Sequence, residues 1–314
     1  MSNSNPAIMD YEGSNWRAEF WPGREYEDRA ERIALKHLLP PSGKRLVEIG
    51  AGFGRVADLY RGYDQVILLD YARSMLKDAV AQLGNDPRFI FVAADLYNLP
   101  FTDNAIDTAV TVRVLHHIAE IPRAFAEVSR VVRPHGTYVT DFANKRHLKA
   151  ILKYWLKRGN GNSPFSHEPY EFVKLNFDYH PSYIRNNLLR QWFHVHEERA
   201  VSTFRISALK RTLPASLLAS VDGLIQSPTA RLELSPSLFL RAESEKPGAP
   251  QINPALWRCL NCGSSTIKEQ PDGLRQSRGL LCENCGTFYP RVDGIYDFKS
   301  GSHQVVTEHH NFVG

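Results

Sequence analysis

The stretch LVEIGAGFGR, residues Leu46–Arg55, decides the fold class of this chain. An apolar run with the character of a buried strand leads directly into a loop that carries three glycines. Glycine allows the backbone to turn tightly and to approach a ligand without a side chain in the way. A dinucleotide fingerprint G-x-G-x-x-G counted from Gly50 requires its third glycine at position 55, where Arg55 stands instead. The loop therefore predicts a strand–loop–helix unit beside a ligand, without matching the dinucleotide pattern.

Short apolar runs alternate with longer amphipathic ones from Arg45 to Phe142. Continuous apolar strands separated by helices are typical of an α/β fold with a parallel sheet covered on both faces. The predicted strands are Leu46–Ile49, Gln65–Leu69, Phe89–Ala93, Ile106–Val112 and Thr137–Phe142. The predicted helices are 30–38, Arg55–Tyr60, Ala72–Leu83 and Ile121–Val132.

The second half of the chain begins with a basic amphipathic helix, predicted over Lys145–Arg158. Its basic face suits an anionic substrate, a nucleic acid or a lipid surface, and the alternative is a solvated face on an ordinary helix. The elements predicted after it are a helix at 180–193, a strand at 195–199, a helix at 206–220, a strand at 238–243 and a linker at 245–250.

Acidic residues follow the second and third predicted strands. Asp70 lies 20 residues after Gly50, where a carboxylate can accept hydrogen bonds from both hydroxyls of a ribose. Asp95 ends the third strand, where it can meet an adenine edge or amino group. Phosphate groups would be better served by basic residues, so these carboxylates favour a cationic nucleoside ligand. The alternative is that the glycines and acids only shape the loops of an α/β fold without a ligand.

In these motifs the chain resembles the class I S-adenosylmethionine-dependent methyltransferases, most closely the group that includes the quinone-ring C-methyltransferases and many small-molecule methyltransferases. The motifs occur in family order as EIGAGFGR, LLDYARSML, ADLYNLPFTDNAID, VLHHI and EVSRVVRPHG, over about residues 25–145 and more weakly to about 243. The resemblance implies a Rossmann-like, doubly wound, mostly parallel seven-stranded sheet with S-adenosyl-L-methionine as cofactor. The cofactor-binding residues that it implies are Glu48, Gly50, Ala51, Gly52, Asp70, Tyr71, Asp95, Leu96 and Arg113.

The same resemblance implies in-line transfer of a methyl group from a sulfonium. Such transfer depends chiefly on orientation, and it needs a general base only when the nucleophile arrives protonated. His116 and His117 are the candidate bases, and the alternative is that they cap or pack the loop after the fourth strand. The segment VRVLHHI lacks the N-P-P-Y or D-P-P-Y motif of enzymes that methylate exocyclic amino groups of bases, and no cysteine lies in this half of the chain. The first absence disfavours methylation of exocyclic amino groups, and the second disfavours cysteine-based RNA methylation.

Three segments are expected as domains. Residues 1–44 would form an N-terminal lead-in and cofactor lid, residues 45–244 a methyltransferase domain with a substrate-side insert at 145–193, and residues 251–300 a zinc ribbon. The alternative to a lid is a helix packed on the sheet edge. The lead-in is rich in aromatic residues, namely Tyr11, Trp16, Phe20, Trp21 and Tyr26.

All four cysteines lie in the C-terminal segment, as two C-x-x-C pairs separated by 19 residues. This is the ligand spacing of a zinc ribbon. Four thiolates complete a tetrahedral Zn²⁺ site and leave no open position, so the expected role is structural. Disulfides are the alternative, and the expected cytoplasmic location disfavours them. The candidate ligands are Cys259, Cys262, Cys282 and Cys285.

The tail LLCENCGTFYPRVDGIYDF, residues Leu280–Phe298, resembles the small zinc-ribbon proteins that pair with and activate RNA- and protein-modifying methyltransferases. The family pattern ends in Y-P-x-x-D-G-I-P, and Tyr296 stands here in place of the last proline. The resemblance implies a ribbon that stabilises a methyltransferase, with both parts on one chain. Its role stays open between bracing the catalytic domain, contacting the substrate and docking a protein partner.

Composition adds weak constraints. The chain has 314 residues, a formal net charge of +4 and no apolar run long enough for a transmembrane segment. Its polar N-terminus lacks the features of a signal peptide, so a cytoplasmic location is expected. The predicted function is methyl transfer to a small or lipid-like acceptor. The alternatives are methylation of RNA or protein with help from the ribbon, or a silent binding scaffold. Nucleic acid is not favoured, since the ribbon is not especially basic.

Overall fold

The computed structural model describes residues 6–14, 20–158, 162–270 and 278–303. The helices are α1 Glu25–Leu38, α2 Arg73–Leu83, α3 Ile121–Val131, α4 Leu148–Trp155, α5 Pro181–Arg190, α6 Ser207–Thr212 and α7 Ala215–Ala230. The first strands are β1 Gly43–Ile49, β2 Tyr63–Asp70, β3 Phe89–Ala93, β4 Ile106–Thr111 and β5 Val132–Ala143. The later strands are β6 Tyr170–Val173, β7 Asn176–Asp178, β8 Phe193–Val201, β9 Ser237–Ser244, β10 Ile267–Gln270, β11 Gly279–Cys282, β12 Thr287–Val292, β13 Ile295–Asp297 and β14 Ser302–His303.

The central sheet has the strand order β3-β2-β1-β4-β5-β9-β8. Strands β1 to β5 pair in parallel, and β9 lies antiparallel between β5 and β8. The order reverses between β1 and β4, and ligands of open α/β sheets bind outside the carboxyl ends of the strands at such a point. The predicted α/β, mostly parallel fold is therefore confirmed.

The strand count is larger than the predicted seven because the C-terminal strands continue the sheet. β13 pairs in parallel with β3, with Ile295 opposite Phe91 and Asp297 opposite Ala93. β13 also pairs antiparallel with β12, which connects through β11 to β10. With β14 paired to β12, the described sheet has twelve strands. The cysteine segment is thus hydrogen-bonded to the edge of the main sheet.

The central strands are buried almost continuously, as expected for a sheet covered on both faces, and successive side chains point to opposite faces. In β1, Leu46 packs into the apolar cluster on one face and Val47 into the cluster on the other. The cluster that contains Val47 also contains Cys259, Cys282 and Tyr289, so the C-terminal segment and the central sheet share one core. None of the described helices has the length and apolar character needed to cross a lipid bilayer.

Three helix predictions need correction. Arg55–Tyr60 contains only the 3₁₀ turn Ala57–Leu59, because the stretch between Gly54 and Gly62 is too short for a stable α-helix. The predicted helix at 206–220 is broken at Leu213 into α6 and α7, because Pro214 lacks the N–H that would continue the helix and stands at the N-cap of α7 instead.

The basic helix begins at Leu148 rather than Lys145. Lys145 is buried before the helix begins, where its backbone N–H donates to the carbonyl of Tyr179 and its ammonium donates to the carbonyl of Glu168. The side chain of His147 accepts from the N–H of Ala150 and caps the helix.

Candidate functional site

A cleft opens at the carboxyl ends of β1, β2, β3 and β4. The structure brings all eleven predicted cofactor and catalytic residues to its wall. The lining from the sheet includes Glu48, Gly50, Ala51, Gly52, Asp70, Tyr71, Asp95, Leu96, Arg113, His116 and His117. The lining from the N-terminal segment is Ile8, Met9, Tyr11, Phe20 and Trp21.

The glycine loop forms the floor of the cleft. The backbone N–H groups of Gly50 and Ala51 both donate to the carbonyl of Leu69, at 2.7 and 3.0 Å, and this ties the loop to the end of β2. Gly50 has φ +75°, and an added Cβ would clash with the side chain of Val114. Glycine is therefore required here both for backbone conformation and for the close approach of the loop after β4.

Asp70 is held by the loop that it faces. Its two carboxylate oxygens accept from the N–H of Ala72 at 2.8 Å and from the N–H of Gly52 at 2.7 Å. Burial raises the pKa of Asp70 to about 6, although these donors favour the carboxylate. Asp95 accepts from the N–H of Tyr97 at 2.7 Å, and burial raises its pKa as well. Both acids keep lone pairs that can accept from a ligand.

Glu48 lies beneath the glycine loop and is almost fully buried. Burial raises the pKa of Glu48 to about 8, outweighing the attraction of Arg55. Among the residues that the structure describes, its Oε2 has no hydrogen-bond partner. A buried carboxyl group with an unsatisfied oxygen at the wall of a cleft is suited to form a hydrogen bond with a ligand.

Arg113 anchors the wall opposite the glycine loop. It has a left-handed φ of 60°, and its N–H donates to Asp141 at 2.6 Å. Its guanidinium donates to Glu31, which also accepts from Arg55 at 2.8 Å. The carboxylate of Glu31 is nearly inaccessible, so this ion network is strongly desolvated.

The N-terminal aromatic residues divide between two locations. The guanidinium of Arg55 lies 4.2 Å and that of Arg113 lies 5.1 Å from the ring centroid of Trp21, which holds this residue over the cleft. Tyr26 instead is buried in α1, where its hydroxyl accepts from the N–H of Phe204. Trp16 lies outside the described residues.

The partners of Arg113 and Arg55 were not among the predicted site residues. Glu31 occupies the apolar stripe of α1 between Ala30 and Ala34, and an acid in such a stripe is the signal that sequence reasoning missed. Burial raises the pKa of Asp141 to about 7, and no local pattern in β5 marks this residue as part of a site.

His117 is fixed at both ring nitrogens. Nδ1 lies 3.0 Å from the carbonyl of Leu175, which can only accept, so Nδ1 carries the proton. Nε2 then accepts from the hydroxyl of Tyr11 at 2.9 Å. Burial lowers the pKa of His117, and burial, together with the adjacent imidazole and the guanidinium of Arg113, lowers the pKa of His116. Both imidazoles are therefore neutral at physiological pH, and the basic lone pair of His117, on Nε2, is covered by the hydroxyl of Tyr11.

The four cysteine sulfurs lie within 4.8 Å of one another. The Cys259–Cys285 and Cys262–Cys282 sulfur pairs are each 3.6 Å apart. Tetrahedral Zn²⁺ with Zn–S bonds of about 2.3 Å places its sulfurs about 3.8 Å apart, so the cluster fits this ion. Backbone N–H groups of the two following glycines close each knuckle by donating to the carbonyls of Cys259 and Cys282, both at 2.9 Å.

The C-terminal segment also reaches the cleft. The ammonium of Lys299, two residues after β13, donates to the carbonyl of Tyr71 at 2.7 Å and lies 4.0 Å from the centre of its ring. Trp257 packs on the sheet edge between Phe101 and Phe298, with ring centroids 5.9 and 5.3 Å away. These contacts place the cysteine segment beside the wall of the cleft that carries Asp70 and Tyr71.

Residues 47–140 match a protein-family model described as a methyltransferase domain. An uncharacterized chloroplastic methyltransferase of Arabidopsis thaliana is 31% identical over 134 residues, 40% of this chain and 38% of the relative. A demethylmenaquinone methyltransferase of Roseiflexus sp. is 31% identical over 137 residues, 42% of this chain and 56% of the relative. The chain thus spans about half or less of the length of these curated relatives.

Solved structures share the fold. An S-adenosylmethionine-dependent methyltransferase from Mesorhizobium loti superposes with a TM-score of 0.51 and 22% identity, covering 68% of this chain and 97% of that one. A chain from the complex of the Haloferax volcanii Trm112 methyltransferase activator with a putative methyltransferase superposes with a TM-score of 0.51 and 16% identity, covering 74% and 96%. At these identities the likeness shows a Rossmann-like methyltransferase fold and no more.

Proposed function

We propose that this chain is an S-adenosylmethionine-dependent methyltransferase that acts on a small or lipid-like acceptor. The observation that carries the proposal is the convergence, in one cleft, of the glycine loop, Asp70 and Asp95 from successive strands with the neutral imidazole of His117. When bound, the cofactor supplies a methyl group on a sulfonium, which is an excellent leaving group.

The residues of the cleft fit such a ligand. The free lone pairs of Asp70 would accept from the ribose hydroxyls, while Asp95 and Leu96 would hold the adenine. Gly50 and Gly52 would leave room for the methionyl part and the sugar. The wall carries the acids Asp70 and Asp95, which suit a cation better than a phosphate, while Glu48, with its pKa raised to about 8 by burial, adds a mostly neutral carboxyl group.

The acceptor side of the cleft is apolar and aromatic. Phe20 and Trp21 cover it from the N-terminal segment, and Val114 and Ile118 line it from the loop after β4. A covered, mostly apolar cavity favours a small molecule over a polymer. Four curated relatives carry the name demethylmenaquinone methyltransferase, so demethylmenaquinone is the first acceptor to test.

His117 would act as the base for an acceptor that arrives protonated. Its Nδ1–H bond to Leu175 leaves Nε2 as the basic atom, and burial lowers its pKa so that Nε2 is unprotonated at neutral pH. The acceptor must displace the hydroxyl of Tyr11 to reach Nε2, so this tyrosine would leave as the acceptor enters. The cysteine cluster would hold Zn²⁺ as a structural ion, because four thiolates leave no open coordination position.

Calorimetry with the demethylated cofactor S-adenosylhomocysteine tests the proposal. The unmodified chain should bind it, and Asp70→Asn should weaken binding about a hundredfold, because hydrogen bonds to a charged group are lost. Asp64→Asn is the matched control, since this exposed acid lies at the opposite end of the same strand and should leave affinity unchanged. Absence of binding by the unmodified chain would refute the proposal. Transfer of a labelled methyl group to protein or RNA, but not to an extractable quinone, would refute the acceptor class.

A further inference from the structure

The helix α4 leaves its apolar residues in contact with solvent. It follows β5 at the same edge of the sheet as the cleft, and Ile151 is its one buried side chain. The exposed fractions are large for apolar side chains, 49% for Leu148, 47% for Leu152, 68% for Trp155 and 62% for Leu156 just after the helix. Large apolar side chains clustered on a surface mark an interaction site.

These exposed side chains form one continuous stripe. At 3.6 residues per turn, Trp155, Leu148, Leu152 and Leu156 cover an arc of about 100° around the helix axis. Ile151 borders the arc on one side and packs into the protein. Beyond the stripe, Tyr154 makes an edge-to-face contact with Phe165 at 6.0 Å, and both rings are also exposed. The helix is therefore anchored through Ile151 with its stripe turned outward.

Lys149 and Lys153 border the other side of the stripe on α4, and Lys157 and Arg158 follow just past the end of the helix. Residues 145–158 contain no acid. Lys145 and Arg146 are engaged, by the carbonyl of Glu168 at 2.7 Å and by the carboxylate of Glu233 at 2.5 Å. Four further cations are exposed and form no ion pair with any acid in the described part of the chain, and these are Lys149, Lys153, Lys157 and Arg158.

We propose that this surface, comprising the stripe Leu148, Leu152, Trp155 and Leu156 with its four flanking cations, docks on an anionic lipid membrane. Apolar side chains enter the boundary between headgroups and acyl chains, while lysines at their border meet the anionic headgroups. Tryptophan is the side chain most suited to that boundary.

Other occupants fit the observations less well. A nucleic acid would use the cations through its phosphates, but it would leave an aliphatic stripe of leucines without a partner. A second copy packed symmetrically on α4 would bring four unpaired cations against four more, at a cost in repulsion. The membrane satisfies both the apolar and the charged part of the surface.

The position of α4 connects this surface to the cleft. The β6–β7 hairpin that follows α4 in the chain places the carbonyl of Leu175 on His117. Just before α4, the N–H of Lys145 donates to the carbonyl of Tyr179, whose hydroxyl donates to the carbonyl of the cleft residue Ile118. A membrane under α4 would therefore lie on the side of the cleft where a lipid-soluble molecule could enter. Docking itself does not rest on the proposed methyl transfer, because vesicle binding and cofactor binding are measured separately and can fail separately.

Vesicle sedimentation with the full chain tests the inference. The unmodified chain should bind phosphatidylcholine vesicles containing about 30% phosphatidylserine at least about tenfold more tightly than pure phosphatidylcholine vesicles, and 0.5 M NaCl should weaken this binding. The double variants K149Q/K153Q and L152S/W155S should each bind the anionic vesicles about tenfold more weakly than the unmodified chain.

Matched controls exist on the same chain. K36Q/K44Q removes two exposed lysines near the amino edge of the sheet, and L224S removes an apolar side chain that is 80% exposed on α7. Both should bind like the unmodified chain. The blue shift of tryptophan emission on anionic vesicles should disappear in W155F.

Several results would overturn the inference. One is that the chain sediments equally with vesicles that contain phosphatidylserine and vesicles that lack it. Another is that the control variants lose as much vesicle binding as the α4 variants. Retention of single-stranded RNA without vesicle binding would assign the surface to nucleic acid instead. A dimer in light scattering that L152S/W155S converts to a monomer, again without vesicle binding, would assign it to self-association. All substituted residues are exposed, so a thermal melt that matches the unmodified chain will show that folding is intact.

Discussion

The pairing of β13 with β3 makes the cysteine segment part of the main sheet, and Ile295→Ala tests this directly. Ile295 is 0% exposed and stands opposite Phe91 in the ladder. Its side chain belongs to the apolar cluster that also contains Val66 and Leu76, on the face of the sheet away from the cysteines. Truncation therefore damages the joint between the two parts and leaves the metal ligands untouched.

The expected loss follows from burial. Removing three carbons from a fully buried isoleucine lowers the free energy of unfolding by about 2–5 kcal/mol, and a loss of about 3 kcal/mol is expected here. Val292→Ala is the matched control, because this residue lies on β12 of the same segment but is 38% exposed. This control substitution should lower the free energy of unfolding by less than about 1 kcal/mol.

Urea unfolding of the zinc-loaded chain is the assay, followed by far-ultraviolet circular dichroism for the sheet and helices and by zinc release to a coloured chelator. With a slope of about 3 kcal/mol/M, Ile295→Ala should move the midpoint of both signals together by about 1 M. If zinc release alone shifts and the circular dichroism transition stays in place, the segment unfolds as an independent unit and the reasoning from the shared core is wrong.

Three further predictions concern the cleft and the metal. Because burial raises the pKa of Asp70 to about 6, its carboxylate is protonated below that pH, and affinity for S-adenosylhomocysteine should fall as pH drops from 7 to 5, with a flat profile in Asp70→Asn. His117→Gln should lower methyl transfer to a protonated acceptor by about 10²-fold or more without changing cofactor affinity in calorimetry; an unchanged rate would mean that the residue only packs the loop. Cys282→Ser, or a strong chelator, should lower the thermal midpoint before it alters cofactor affinity; lost acceptor binding at normal stability would instead indicate substrate recognition.

The glycines and acids at the wall of the cleft could be predicted from the sequence for a physical reason. Parallel strands bring their carboxyl ends to one edge, so residues that follow successive strands must meet there. The glycine loop after β1, Asp70 after β2 and Asp95 after β3 are each marked by a local pattern within a few residues of a strand end. The C-x-x-C pairs are equally local, and their spacing suffices to predict a compact four-sulfur cluster.

Contacts between distant segments were decided by the tertiary structure alone. Tyr11 meets His117 across 106 positions of the chain, and Arg113 meets Glu31 across 82. The approach of Lys299 to Tyr71 spans 228 positions and exists only because β13 adds to the edge at β3. Local patterns specify the backbone conformation that each segment adopts. Which distant segments pack together depends on burial and on how sheet edges are covered, and no short stretch of sequence carries that information. The sequence by itself thus determined the α/β unit, its cofactor-side acids and its four thiolates. Only folding decided that Tyr11 of the N-terminal segment would meet His117 and that β13 of the cysteine segment would add to the sheet edge at β3.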